Sequence, residues 1–394
     1  MQIIQDFISA IFGSLIEMVA ADPWSLLRMV AMWAIGGILI YLAIAKDMEP
    51  SLLLPMGFGA ILVNLPFSGA IDQIHGGATE AGALSELFRA GISNELFPLI
   101  LFIGIGAMID FGPLLKNPKL LMFGAAAQFG IFFTVLLTCT IGYIFPGTFT
   151  LQDAASVGII GAADGPTAIF VANYFDTKYM GAILVAAYSY MALVPIIQPP
   201  CIRLVTTKKE RMMRMPYEAG DVSKTVRILF PVVVTIIAGL IAPRSVALVG
   251  FLMFGNLLRE CGVLNSLSET AQNALANLIT IFLGITVATQ MQAEKFLTLQ
   301  TLIIMLLGLF AFVFDTIGGV MFAKFINLFS KNKVNPMIGA CGISAFPMSS
   351  RVVHKMGLKE DPQNFLLMHA AGVNVGGQIA SVIAGGLILN LVAK

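Results

Sequence analysis

Hydrophobic residues fall along this chain in long runs separated by short polar stretches. Ten runs, at about 26–45, 51–66, 96–110, 119–145, 178–198, 228–242, 246–258, 277–290, 297–328 and 370–392, each predict a helix. Several are shorter than the roughly 20 residues of a straight bilayer crossing, so short central helices or a locally thinned bilayer are expected. Two further segments, 153–175 and 335–353, are apolar but broken midway by Gly, Pro and small polar residues, and read as re-entrant elements. Near the N-terminus, Ile3, Ile4, Phe7, Ile8, Ile11, Phe12 and Leu15 recur at helical spacing against Gln5, Asp6, Ser9 and Ser14. That pattern predicts an amphipathic helix on the membrane surface or on a partner, and a helix packed on its own bundle fits equally. It lacks the basic n-region and small-residue cleavage site of a signal peptide.

Composition turns the pattern into a class. Only 11% of the 394 residues are charged and 58% are hydrophobic, whereas soluble domains carry roughly 25% charge. The chain is expected to be an all-α polytopic membrane protein. A net charge of +1 gives no footprint for nucleic acid. Cys139, Cys201, Cys261 and Cys341 sit singly in or beside apolar runs, without metal-ligand spacing, and read as small hydrophobes.

Charge placement sets orientation. Arg203, Lys208, Lys209, Arg211, Arg214, Lys224 and Arg227 crowd the segment 203–227, which the positive-inside rule assigns to the cytoplasm. If ten spans cross alternately and both broken segments are re-entrant, 17 of the 23 basic residues lie inside. Letting either broken segment cross moves part of that charge outside. The same arrangement exposes a repeat: each half runs four crossings, a broken segment and one crossing, and five crossings invert the second half. Local echoes agree in order, among them Phe102, Gly104 and Ile105 with Phe282, Gly284 and Ile285, and Ile160-Gly161-Ala162 with Ile338-Gly339-Ala340. The expected organisation is an N-terminal amphipathic helix (1–25), a first inverted repeat (26–202), a basic cytoplasmic linker (203–227) and a second inverted repeat (228–394), with a binding site where the broken elements meet.

The first break, Gly161-Ala162-Ala163-Asp164-Gly165-Pro166-Thr167, holds a carboxylate at membrane depth, where irregular backbone survives only if buried in protein or lining a cavity. Asp164 is therefore a candidate ion-binding group, with capping of the following half-helix as the alternative. The second break, Asn335 to Arg351, offers Asn335, Ser344 and free carbonyls but no carboxylate. One negative charge among neutral oxygens suits a monovalent hard cation, sodium first and a proton second, better than Ca²⁺ or Mg²⁺. The spans after the breaks add Tyr190 and Asn374, the latter in Gly372-x-x-x-Gly376; packing explains each of them equally well. Arg351 ends the second break where it can hold an anion or simply snorkel. Asp315, Asp110 and Gln128 are further polar candidates. No nucleotide loop or Ser/His/Asp arrangement is present.

At these residues the chain resembles the β subunit of the sodium-pumping, biotin-dependent decarboxylases that act on oxaloacetate, methylmalonyl-CoA, glutaconyl-CoA or malonate. Gly158 to Phe170, Ala187 to Pro195 with Gln198-Pro199-Pro200, Asn335 to Arg351, and Asp361-Pro362 with Asn364 to Ala370 carry the resemblance. It implies a multi-pass subunit of the bacterial inner membrane that decarboxylates carboxybiotin, consuming a proton while Na⁺ is exported. Implied partners are a biotin carrier, a carboxyltransferase and a small γ/δ-type membrane subunit, with the chain itself a homotrimer. Asp164, Asn335 and Asn374 resemble one group of Na⁺ ligands, and Tyr190 and Ser344 a second. Arg351 is similar to a residue on the carboxybiotin path, and Tyr190 is a candidate for the proton route. His354 stands where such subunits more often have an uncharged polar residue. A secondary ion-coupled carboxylate transporter without catalysis, or a passive scaffold, fits the bare pattern as well.

Overall fold

A computed structural model describes residues 22–75, 78–216 and 222–392. The expected amphipathic helix lies outside them except for its last residues. All ten apolar runs are helical. Among the described residues, seven helices are long and apolar enough to cross a membrane: Pro23–Lys46, Leu120–Ile144, Met180–Val205, Lys224–Ile241, Asn265–Gln290, Leu299–Phe329 and Leu367–Val392. The count becomes eight if Ala83–Gly91 and Leu96–Met108 form one broken span. The runs at 51–66 and 246–258 form the shorter helices Pro50–Val63 and Val246–Glu260, so the expected ten crossings are not all full-length helices. Outer faces carry bare aliphatic side chains such as Leu240 and Leu136, at 80% and 68% exposure. A soluble protein rarely tolerates such a surface; a bilayer supplies its solvent.

Two compact units form. Among the described residues, one comprises those within 22–94 and 281–302, the other those within 95–280 and 303–392, so each draws on both halves of the sequence. In the first, Pro23–Lys46 and Pro50–Val63 pack as a hairpin through Gly36 and Gly57; a Cβ on Gly36 would sit 2.6 Å from the Gly57 carbonyl oxygen. Asn64 donates from Nδ2 to the carbonyls of Ala60 (2.7 Å) and Met291 (2.8 Å) and accepts from the Ala293 N–H (2.8 Å). Its side chain thus satisfies backbone groups that the turns around it leave open. A two-stranded antiparallel hairpin pairs Gln73–His75 with Ala78–Glu80.

The second unit holds the broken elements. Two of its helices, Met180–Val205 and Leu367–Val392, are 67% buried over their apolar windows, whereas Lys224–Ile241 is 11% buried. The first two are central and the third peripheral. Each broken element precedes one of the central helices. The first runs as a helix Leu151–Gly158, a 3-10 turn Ile159–Ala162 and a half-helix Gly165–Tyr174. The second runs as a 3-10 stretch Pro336–Gly342 followed by a helix Met348–Glu360. Small residues let these elements touch backbone to backbone: a Cβ on Gly339 would lie 2.1 Å from the Gly319 carbonyl oxygen, and one on Gly377 would lie 2.3 Å from that of Gly342.

Candidate ion-binding site

Three local signals open the first broken element. The 3-10 turn leaves helical geometry at Ala163, which is left-handed with φ 51°; without glycine this costs about 1–2 kcal/mol. Asp164 is then extended and becomes the N-cap of Gly165–Tyr174, with Pro166 in its first turn. Asp164 Oδ1 accepts from the Thr167 N–H at 3.4 Å, and Oδ2 from the Thr167 hydroxyl at 2.7 Å. The capping alternative is thus part of the geometry, but it does not exhaust it.

Asp164 Oδ2 also accepts from the Ser344 hydroxyl (3.2 Å), the Gln378 amide (3.2 Å) and the Ser381 hydroxyl (3.0 Å). The carboxylate is 3% exposed. The breaks meet at this point through their backbones as well, the Ser344 N–H donating to the Ala162 carbonyl at 2.9 Å. Hydroxyls rotate and amides flip, so the groups that now donate to Oδ2 can turn oxygen lone pairs inward around a cation beside it. Asn374, fully buried on Leu367–Val392, spends its Nδ2 on the carbonyls of Cys341 (3.2 Å) and Ile343 (2.7 Å), while its Oδ1 has no partner. A buried acceptor left open costs free energy, and a cation would satisfy it. Tyr188 lines the same half-helix, its ring against Gly165, with an unpartnered buried hydroxyl.

The sequence candidates separate in space. Ser344 joins Asp164 directly. Asn335 instead caps its own 3-10 stretch through the Met337 N–H (3.0 Å) and ties the break to the basic linker, donating to the carbonyls of Arg211 (3.0 Å) and Met213 (2.8 Å). Tyr190 donates its hydroxyl to the Met305 carbonyl. Arg351 is exposed on Met348–Glu360 and makes no ion pair among the described residues. One turn on, the partly buried His354 has its Nδ1 unpartnered, and burial pushes its imidazole below the usual range. Asp315 bonds to the span Leu120–Ile144, its Oδ1 accepting from the N–H groups of Gly130 (2.5 Å) and Ile131 (3.2 Å), while its Oδ2, without a partner among the described residues, faces Gly161 of the first break, 2.5 Å from where a Cβ on that residue would lie.

Sequence reasoning missed Gln378 and Ser381. Their signal was present: Asn374, Gln378 and Ser381 stand at i, i+4 and i+7, one polar stripe along the helix Leu367–Val392. Gln198 stood out only within the resemblance. It is fully buried and braces the second break, donating to the Ala340 carbonyl (2.7 Å) and the Ser349 hydroxyl (2.8 Å). Among the described residues no three His, Cys, Asp or Glu side chains come together, and the groups that bond to Asp164 are all neutral.

The basic linker is docked against the second broken element. Arg211 Nε lies 2.7 Å from Glu360 Oε1, with both side chains mostly buried, and Lys324 Nζ lies 3.1 Å from Glu210. Arg214 pairs with Asp361 and holds its carboxyl below the usual carboxylate range.

Fold and site together define a multi-pass helical membrane protein with a deeply buried carboxylate, Asp164, at the meeting of two broken helices. Comparison with known sequences gives the family. The profile of the Na⁺-transporting oxaloacetate decarboxylase beta subunit matches residues 28–392, and the chain belongs to that family. It is 50% identical over 379 residues to the methylmalonyl-CoA decarboxylase subunit beta of Propionigenium modestum, covering 92% of this chain and 94% of that one. It is 47% identical over 403 residues to the oxaloacetate decarboxylase beta chain 2 of Salmonella typhi (90% and 93% covered). The methylmalonyl-CoA decarboxylase subunit beta of Veillonella parvula is 48% identical over 360 residues (91% and 92% covered).

Proposed function

We propose that this chain is the ion-translocating subunit of a biotin-dependent decarboxylase, and that it couples loss of CO₂ from carboxybiotin on a partner carrier to Na⁺ export across the bacterial inner membrane. The observation that carries the reading is Asp164, 3% exposed, with three hydroxyls and an amide converging on one oxygen where two broken helices meet. An intramembrane carboxylate is costly and marks ion handling. Sodium is the cargo, held by Asp164 with oxygens from Thr167, Ser344, Gln378, Ser381 and Asn374.

Carboxybiotin loses CO₂ when its carboxylate is stripped of water and the leaving nitrogen gains a proton. In this reading Arg351, exposed at the end of the second break, receives that carboxylate on the linker side, which the positive-inside rule makes cytoplasmic. Tyr190 enters the proton route only after releasing the Met305 carbonyl. Moving one Na⁺ outward costs about 2.3 kcal/mol per 100 mV. The Asp164 niche must therefore open to alternate sides, which the inverted repeat would allow by rocking. The biotin carrier, carboxyltransferase and small γ/δ-type subunit complete the machine, with this chain as a homotrimer.

The test is decarboxylation of free carboxybiotin by the purified membrane subunits with and without Na⁺. Sodium-stimulated turnover, lost in Asp164→Asn, is expected. Sodium-independent turnover at the full rate, or ion-driven carboxylate uptake into liposomes without any carboxybiotin chemistry, would overturn the proposal.

A further inference from the structure

A second carboxylate, Asp315, is buried on Leu299–Phe329 at 1% exposure, and the proposed function leaves it without a role. Its helix runs along both breaks on a face of small residues, Gly308, Ala311, Asp315 and Gly319 standing at i, i+3, i+7 and i+11. A Cβ on Gly308 would lie 2.8 Å from Ile160 Cγ2 of the first break, and one on Gly319 would lie 2.1 Å from the Gly339 carbonyl oxygen of the second. Asp315 sits between these two contacts. Its oxygens are served unequally: Oδ1 accepts both N–H groups, from Gly130 and Ile131, and Oδ2 accepts from no described residue. The Gly161 position closes over Oδ2, because a Cβ there would lie 2.5 Å from that oxygen and 3.0 Å from Ala311 Cβ. Asp164 is the contrast, with one donor on Oδ1 and four on Oδ2. A carboxylate divides its charge between two oxygens that both accept, whereas a carboxylic acid carries a proton on one of them. Asp315 has the pattern of the acid.

No cation balances an ionised Asp315 among the described residues, since the ionisable groups of the surrounding elements are engaged elsewhere. Lys324, on the same helix, bonds to the Val205 carbonyl and to Glu210. Asp153 accepts from Thr150 and Thr177, and Tyr190 donates to the Met305 carbonyl. Cys139 and Tyr143 lie two turns and more past Ile131, and Lys119 precedes the same span by its exposed start. An unpaired buried charge is costly, and a carboxyl group avoids that cost by keeping its proton. We propose that Asp315 is a second ion site, one that takes a proton on Oδ2 under the turn at Gly161 and not a metal ion. A metal ion would need further oxygens around it, and Oδ2 meets the backbone of Gly161 and the methyl group of Ala311 instead. The consequence rests on the proposed function: with Asp315 neutral, Asp164 is the one negative charge beside this turn, and one Na⁺ balances it.

Infrared difference spectroscopy of the purified full-length chain, at neutral pH and saturating Na⁺, reads the site directly, because an ionised carboxylate lacks the carboxylic C=O stretch. The wild type is expected to show that band, Asp315→Asn to lose it, and Asp315→Glu to shift it. The Glu variant carries the test if the Asn variant does not fold. Loss of a carboxylate band in Asp315→Asn, or an unmoved carboxylic band in Asp315→Glu, would overturn the proposal. So would a carboxylic band that Na⁺ removes in the Asp164→Asn background, which would assign a metal ion to Asp315. Equilibrium ²²Na⁺ binding gives an independent readout. Asp315→Asn keeps an acceptor toward Gly130 and Ile131 and should bind Na⁺ with the affinity and stoichiometry of the wild type; a loss of binding in the folded variant would make Asp315 a Na⁺ ligand and contradict the proposal. The infrared bands report on Asp315 whether or not the chain decarboxylates or transports, so this proposal and the proposed function can fail separately.

Discussion

The first broken element carries its charge inside the break, at Asp164, whereas the second holds no ionisable carboxylate or base until Arg351 at its exposed end. The first is buried throughout residues 153–172 and bonds to its neighbours through the carboxylate. The second is braced by neutral groups, Gln198 and Asn374, and its start is held by carbonyls of the basic linker. Under the proposed function the first element therefore holds the ion, and the second transmits events at the linker face to the ion's oxygens, Ser344 being the point of transfer. Substitutions in the two elements should then fail differently.

The largest effect is expected at the charge. Asp164→Asn keeps the cap on Thr167 but removes the anion, and sodium-dependent turnover should fall about 100-fold or more, beyond the roughly 10–100-fold typical of groups supporting a metal ligand. The polar stripe comes next. Gln378→Ala and Ser381→Ala should each raise the Na⁺ concentration for half-maximal turnover by about 10-fold while changing the maximal rate less; a drop in rate at unchanged Na⁺ dependence would move both residues out of the site. Arg211→Ala strips Glu360 of its guanidinium in a mostly buried pair and should cost about 2 kcal/mol. Thermal unfolding in detergent should register it, with Na⁺ dependence retained.

Smaller effects sharpen the contrast. Arg214 lowers the Asp361 pKa in the folded protein, so the pair stabilises above the unfolded value of about 3.9 and is lost as pH falls through the lower folded value. In Arg214→Gln the acid unfolding midpoint should move toward neutral pH. Ala163→Gly relieves a left-handed backbone and should raise stability by up to about 1 kcal/mol. An unchanged melting temperature would mean that the neighbouring packing, rather than the side chain, sets this conformation.

Much of this was legible in the sequence because bilayer burial writes itself as long apolar runs: every run predicted a helix, and both interruptions became broken elements. Asp164 stood out for the same reason, as a charge inside such a run. What escaped was relational. Asn335 shares the second break with Ser344, yet it faces the linker while Ser344 faces Asp164, because a 3-10 stretch and an extended segment lie between them; no periodicity survives such a change of backbone. Tyr190 and Asn374 occupy similar places after their breaks, but Tyr190 turns to Met305. Gln378 and Ser381 were readable at helical spacing from Asn374, but only once that helix face was known to meet the breaks. The count of full crossings was less legible, since hydropathy marks a short buried helix such as Pro50–Val63 and a spanning one alike.

The most direct test of the central claim is equilibrium ²²Na⁺ binding to the purified full-length chain and to Asp164→Asn, at matched folding. Saturable Na⁺ binding by the wild type, abolished by the substitution and weakened by Gln378→Ala, is the predicted result. Undiminished Na⁺ binding to a folded Asp164→Asn protein would contradict the assignment of the ion to the meeting point of the two breaks.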